Sequence, residues 1–119
     1  MTRAAQGLRA WLLQRFTAIY LALFFLFAVF RFVTAPPAGY AQWQAWLAQP
    51  LAGVASGLFT LALLLHAWVG IRDVLIDYVH AVWLRLSLMA LVGLMLLGSA
   101  LWVLRALMLA AVRAGAGGA

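Results

Sequence analysis

Long apolar runs without a single charge constrain this chain more than any other feature of its sequence. The longest, residues 32–71, extends over 40 residues between Arg31 and Arg72. Apolar residues make up 69% of the 119 residues and charged residues 8%, against about 25% in an average soluble domain. A water-soluble chain of this length buries only about two thirds of its surface, so it could not hide so many large apolar side chains. The chain is therefore predicted to fold in a lipid bilayer.

Three segments are long enough to cross a bilayer as α-helices. Prolines interrupt the longest run, and its second part, 51–71, provides 21 residues that extend over about 30 Å. The segment 86–107 begins with 19 uncharged residues. The segment 16–33 begins with 15, and the arginines at its ends can extend their head groups to the interface. We predict an all-α membrane protein with three transmembrane helices.

Two short interfacial helices are predicted beside these spans. In residues 1–15, apolar residues including Trp11 recur at helical spacing among three arginines, as is typical of a helix in the headgroup layer. In the first loop, the spacing of Trp43 and Trp46 predicts a second interfacial helix over 41–48, on the opposite side of the membrane.

The chain is predicted to contain one membrane-embedded part, residues 16–113, between the N-terminal arm and a short tail. The tail, 114–119, contains only Gly and Ala and is predicted to be disordered. The eight arginines stand singly at the ends of apolar runs and form no basic face, so binding to nucleic acid is not predicted.

The positions of the arginines predict the orientation in the membrane. Five of them lie in the N-terminal arm and in the connection 72–85, and three lie on the other side, where the loop 34–49 contains no charge. The positive-inside rule then places the N-terminus in the cytoplasm and the C-terminus outside. A composition rich in Leu, Ala and Arg is typical of a GC-rich bacterial genome, so we expect a bacterial inner-membrane protein.

One ionisable side chain, His66, lies within a predicted span, where such a group is costly and a candidate for function. A neutral imidazole could hydrogen-bond to a neighbouring helix, or it could bind the iron of a b-type haem as an axial ligand. Gly70, one turn later on the same face, would allow either a flat ring or another helix to approach closely. These residues alone leave both possibilities open. The absence of Cys excludes iron–sulfur ligation and covalent haem attachment by this chain.

A haem held by His66 would need its second ligand from elsewhere. A continuous helix would place His80 about 21 Å away, too far to bind the same iron, and we expect it to be a solvated loop residue. Met89 and Met95 are possible ligands, but methionine in an apolar helix usually serves packing. We therefore expect the second ligand to be a histidine of a partner chain.

Most of the polar residues of the chain lie in the connection 72–85. Asp73 and Asp77 are its only carboxylates, and they would lie on the His66 face if the second helix continued past residue 71. A carboxylate beside Tyr78 at the membrane surface could orient and protonate a quinone carbonyl. Considered alone, these residues fit a helix end with an interfacial tyrosine better.

The sequence HAWVG at 66–70, followed by DYV at 77–79 and LRL at 84–86, resembles the hydrophobic membrane-anchor subunits, or D chains, of succinate dehydrogenase (respiratory complex II). The resemblance implies a second three-helix cytochrome b anchor as partner, with haem b between one histidine of each chain. It makes His66 the ligand of the haem iron, with Gly70 packed against the haem, and places Arg15 near the haem propionates. Tyr78 would bind ubiquinone, with support from Asp77.

The same resemblance implies a flavoprotein and an iron–sulfur subunit that are docked to the membrane by this chain. Succinate oxidation and electron transport to the quinone would belong to the complex, and no residue of this chain alone is expected to be catalytic. Two alternatives are the anchor of a fumarate reductase, or another cytochrome b anchor, that uses menaquinone, and a small non-redox integral membrane protein in which His66 only holds helices together.

Overall fold

The computed structural model describes residues 3–118, and the side chains from Ala5 onward. These residues form four α-helices and no strand, namely α1 (Arg3–Thr34), α2 (Tyr40–Ala48), α3 (Pro50–Tyr78) and α4 (Val82–Gly117). Three of the helices, α1, α3 and α4, are long and apolar enough to cross a membrane. The predicted all-α fold with three spans is therefore confirmed.

The predicted interfacial helices are confirmed only in part. The helix expected over 41–48 is α2, which differs from the prediction by a single residue at its start. The N-terminal segment is also helical, but it is not a separate element, because α1 continues through Arg15 into the first span. Residues 8–16 contain neither Pro nor Gly and are rich in good helix formers, so nothing in the local sequence ends the helix. Residues 1 and 2 of the predicted arm lie outside the described part.

The other helices also extend beyond the predicted spans. The segment 72–78, expected in a connection, is the last part of α3, and only residues 79–81 are non-helical before α4 begins. Asp73 and Asp77 therefore share a helix with His66, as the spacing argument required. The tail differs from the disorder expected over 114–119, because α4 continues through Gly117, while residue 119 is outside the described part. The alanines at 114 and 116 favour a helix and the glycines at 115 and 117 oppose it, and the helix ends at Gly117.

The central helix of the bundle is α3, which packs against α1 on one side and α4 on the other. Tyr20 of α1 donates a hydrogen bond to the Ala55 carbonyl at 2.8 Å. On the α4 side, a Cβ added to Gly93 would lie 3.6 Å from the Trp68 ring, so a small residue lets these helices approach. Within residues 3–118, α1 and α4 do not pack against each other. The three spans thus form an open layer.

The short helix α2 is attached to the bundle by aromatic rings and by a tight turn. The Trp43 and Trp46 rings lie 5.1 and 5.3 Å from the ring of Phe32, near the end of α1. A Cβ added to Gly53 would lie 2.8 Å from the Leu47 backbone carbonyl oxygen, so this close approach of α2 to α3 requires glycine. The turn therefore folds α2 back over the start of α3, where it also packs against α4.

Very little of this chain is buried within itself. In the described part, Ala62, Val69 and Ala110 are the buried apolar residues, and Thr17 is the buried polar residue. A bundle in lipid needs no apolar core, since lipid tails solvate apolar side chains as well as a protein interior does. The wide apolar faces of α1, α3 and α4 are therefore available to lipid or to another membrane chain.

Candidate functional site

The imidazole of His66 lies half-buried between α3 and α1, and both of its nitrogens face polar groups of α1. Thr17 Oγ1 is 3.1 Å from His66 Nδ1. Gln14 Nε2 is 3.4 Å from His66 Nε2. One intramembrane histidine is thus held by two residues that precede it in the chain by 49 and 52 positions.

The hydrogen bonds of Thr17 favour one tautomer of this histidine. Its hydroxyl is buried, with 7% of the residue exposed, and lies 2.7 Å from the Leu13 carbonyl oxygen, to which it can donate. A hydroxyl has one hydrogen, so when it donates to this carbonyl, Oγ1 can only accept from His66 Nδ1–H. In this tautomer Nε2 has the lone pair that can bind a metal, and in this structure the Gln14 amide N–H, 3.4 Å away, can donate to it.

The Gln14 amide occupies the space beside His66 and above Gly70. A Cβ added to Gly70 would lie 3.6 Å from Gln14 Nε2, so glycine leaves room there for the amide. Gln14 Oε1 is buried without a hydrogen-bond partner. A buried unsatisfied oxygen is uncommon in a folded protein and marks a position where a further polar partner would be stabilising.

These residues fit the axial ligation of a prosthetic group better than a metal site formed by side chains alone. No cluster of three or more His, Cys, Asp or Glu side chains occurs among the described residues. A metal held by His66 would therefore need most of its ligands from a macrocycle and from another chain. The imidazole of His66 and the small residue Gly70 are compatible with haem at this position, whereas Gln14 Oε1, an acceptor, would need a donor from elsewhere.

A cavity of about 620 Å³ opens between α1 and α3, on the side of the site toward the end of α3. Its lining includes Trp11, Gln14 and Val69, together with Arg72 and Asp73, which form an ion pair at 2.8 Å. Arg15 is exposed and does not line this cavity. Its guanidinium lies 5.5 Å from the centre of the Trp11 ring, at cation–π distance.

Asp77 and Tyr78 form a separate group at the end of α3. Tyr78 is the last residue of the helix and is 78% exposed, and Asp77 is exposed beside it. Along the helix axis, Tyr78 lies about 18 Å from His66. His80 is exposed in the non-helical segment that follows, which is where it was expected. Within this chain, the predicted site residues thus form two groups that do not touch.

Gln14 and Thr17 belong to the site but were not predicted from the sequence. Two features of the sequence could have indicated these residues. Gln14 and Thr17 are three positions apart, so they share one face of a helix, and both are polar residues at the start of an apolar span. A histidine within a bilayer needs hydrogen-bond partners, and such a pair on a neighbouring span can satisfy it.

A family model and a relative of known name are both similar to this chain. Residues 1–103 match the family of the succinate dehydrogenase/fumarate reductase transmembrane subunit. The chain is also 30% identical over 105 residues to the succinate dehydrogenase hydrophobic membrane anchor subunit of Coxiella burnetii (strain RSA 493 / Nine Mile phase I). That alignment covers 88% of this chain and 91% of the relative.

Proposed function

The chain belongs to the succinate dehydrogenase/fumarate reductase transmembrane subunit family, as the sequence of residues 66–86 predicted, and we propose that it is the membrane anchor of a succinate dehydrogenase. In this proposal it shares haem b with a second three-helix chain, forms part of the ubiquinone site and docks the iron–sulfur subunit and the flavoprotein. The observation on which it depends most is the half-buried His66, oriented by Thr17 of another helix.

A haem at this position would be bound by His66 and by residues next to it. Nε2 of His66 would provide the lone pair that binds the iron, and Thr17 would hold the opposite ring nitrogen. Gly70 would leave space for a flat ring once the Gln14 amide, which lies beside both residues, turned away. Arg15, which follows Gln14 on α1, provides a positive charge for a propionate. When bound, the haem would accept and return single electrons. The second histidine comes from the partner chain, because His80 lies outside the span and beyond the end of α3.

Ubiquinone is proposed to bind at the end of α3. The exposed hydroxyl of Tyr78 can donate a hydrogen bond to a quinone carbonyl, which favours electron density on that oxygen. Asp77 is exposed beside it and can pass protons from water to the reduced carbonyls. Reduction of a quinone to a quinol consumes two electrons and two protons. The electrons would come from succinate through the iron–sulfur subunit.

The distribution of the arginines supports the proposed orientation of the chain in a bacterial inner membrane. The ends of α3 and α4 that meet near residues 79–81 would face the cytoplasm of a bacterium, because five of the eight arginines lie in the N-terminal arm and in the segment 72–85 that includes this turn. The soluble subunits would dock there, next to Tyr78. The anchor of a fumarate reductase that uses menaquinone would have the same architecture, since the soluble subunits and the quinone potential set the direction of the reaction.

Isolation of the complex through a tag on this chain tests the proposal. We expect a second hydrophobic chain, an iron–sulfur protein and a flavoprotein to co-purify, together with a b-type reduced-minus-oxidised absorbance spectrum. The measurements are the optical spectrum, the haem-to-protein ratio and identification of the subunits by mass spectrometry. A colourless protein that is stable without partner chains would contradict the proposal and would favour a non-redox membrane protein.

The role of Thr17 can be tested separately with Thr17→Val, which keeps the shape of the side chain and removes the hydroxyl. The Nδ1–H of His66 then loses its acceptor, so the imidazole becomes a weaker donor to iron. We expect about 10- to 100-fold weaker haem retention and a higher haem midpoint potential.

Thr60→Val is the matched control, because the Thr60 hydroxyl bonds only to the Ser56 carbonyl within α3. Thr17→Ser should restore the haem midpoint potential of the wild type. The same potential and haem retention in Thr17→Val as in the wild type would show that Thr17 does not act on His66.

A further inference from the structure

A second cleft, unrelated to His66, lies between α2 and α4 at the end of the bundle opposite Tyr78. It has a volume of about 320 Å³. Three aromatic residues and two arginines contribute to its lining, namely Tyr40, Trp43, Trp102, Arg105 and Arg113. Nothing in the proposed haem and quinone chemistry uses this cleft.

The two arginines have no side-chain carboxylate of this chain to neutralise them. The only two, Asp73 and Asp77, are near the end of α3 on the other side of the bundle, and α2 contains no acidic residue. Arg105 lies 5.5 Å from the centre of the Trp102 ring, at cation–π distance. The cleft is therefore a site of positive charge beside aromatic rings, and an anion there would be stabilised.

Two arginines elsewhere near the membrane surfaces, unlike those of the cleft, have hydrogen-bond partners among the described residues of this chain. Arg72 forms an ion pair with Asp73, and Arg31, at the same end of the bundle as the cleft, donates a hydrogen bond to the Ala35 carbonyl. Arg105 and Arg113 are two helical turns apart on one face of α4, about 12 Å along its axis. Both line one cleft, so they can act on one ligand.

The position of the cleft relative to the hydrocarbon layer indicates what kind of anion it binds. Arg105 directly follows 19 uncharged residues of α4, which extend over about 28 Å, so it lies at the edge of the hydrocarbon layer. Tyr and Trp are typical of the membrane interface, and Leu109 and Ala106 add apolar lining between the arginines. A small soluble anion would not use this apolar lining, whereas a phosphodiester with attached acyl chains would contact both parts.

We propose that this cleft binds an anionic phospholipid, with Arg105 and Arg113 donating hydrogen bonds to its phosphate oxygens. Trp43 and Trp102 pack against the glycerol and the first methylenes of its acyl chains. The lipid thereby links α2 to the last third of α4. This assignment does not depend on the proposed function, because it uses none of the residues assigned to haem or quinone.

The test uses the full chain with the partner chains that co-purify, titrated with phosphatidylglycerol or with phosphatidylcholine of the same acyl chains and measured by native mass spectrometry. The wild type should prefer phosphatidylglycerol. Arg105→Gln should weaken its binding about fivefold, and Arg105→Gln with Arg113→Gln about 25-fold, from about 1 kcal/mol per arginine near an anionic headgroup. High salt should reduce the preference of the wild type.

Arg31→Gln is the matched control, because it removes one charge at the same end of the bundle from a side chain that donates to the Ala35 carbonyl, and it should leave the preference unchanged. Arg105→Lys with Arg113→Lys keeps both charges and should keep the preference even if the Gln variants do not fold.

Three results would overturn the proposal. The first is an unchanged preference for phosphatidylglycerol in a folded double Gln variant. The second is displacement of the lipid by inorganic phosphate at equal concentration, which would identify a site for free anions. The third is loss of a partner chain from the double Gln variant with lipid binding unchanged, which would identify a carboxylate of that chain as the ligand of the arginines.

Discussion

Replacement of His66 by alanine is expected to remove the b-type haem from the complex purified through this chain. Among the described residues of the α1–α3 site, the imidazole is the only side chain with a nitrogen lone pair that can bind iron, and Thr17 Oγ1 lies 3.1 Å from its other nitrogen. Loss of an axial ligand cannot be compensated by Gln14, whose amide is a poor ligand. The measurement is the haem-to-protein ratio, together with the reduced-minus-oxidised spectrum, and the expected loss is essentially complete.

Two further variants separate ligation from packing. His66→Gln keeps a polar group that can hydrogen-bond to Thr17 but does not replace the imidazole as a haem ligand, so we expect an assembled complex without the native spectrum. His80→Ala changes the other histidine, which is exposed and outside the helices, and it should retain a full complement of haem. A wild-type spectrum and haem content in His66→Ala would exclude this residue as the ligand.

Replacement of Tyr78 by phenylalanine is expected to lower quinone reductase activity by about 10- to 100-fold. The variant removes one hydroxyl from an exposed ring at the end of α3 and keeps the ring itself. A hydrogen bond to an oxygen that develops charge contributes about 1.5–3 kcal/mol, which corresponds to this range. Reduction of an artificial dye by the soluble subunits should persist, because those subunits do not use the tyrosine.

The ratio of the two activities is the decisive measurement for Tyr78. Tyr40→Phe is the matched control, since Tyr40 is also an exposed tyrosine but lies at the other end of the bundle, and it should leave both activities unchanged. Equal loss of quinone and dye reduction in Tyr78→Phe would point to failed assembly. Full quinone reductase activity would exclude the hydroxyl from the quinone site.

Much of the architecture was predictable because the bilayer imposes it. A charge-free run of about 20 residues must be helical in lipid, where no water can satisfy an open backbone, so the three spans followed from the apolar runs. The spacing of Trp43 and Trp46 was sufficient to predict α2, because a helix at the membrane interface needs one apolar face.

The helix ends were less predictable than the spans. The segment 72–78 was interpreted as part of a loop because it is charged, but charge does not terminate a helix, and residues 71–78 contain neither Pro nor Gly. The same reason explains why α1 includes the predicted N-terminal arm through Arg15. Hydropathy marks where a helix enters and leaves lipid, but it does not mark where the helix ends, since α3 continues through its charged residues to Tyr78.

The amino-acid sequence by itself determined the membrane class, the number of spans and the one intramembrane histidine, because each depends on local composition and on the cost of charge in lipid. The tertiary structure alone revealed that Thr17 and Gln14 meet His66, and that Arg105 and Arg113 share a cleft with α2. These contacts join residues on different helices. Apolar periodicity does not specify which faces of three similar helices will meet, because in lipid that choice depends on close packing and on individual hydrogen bonds.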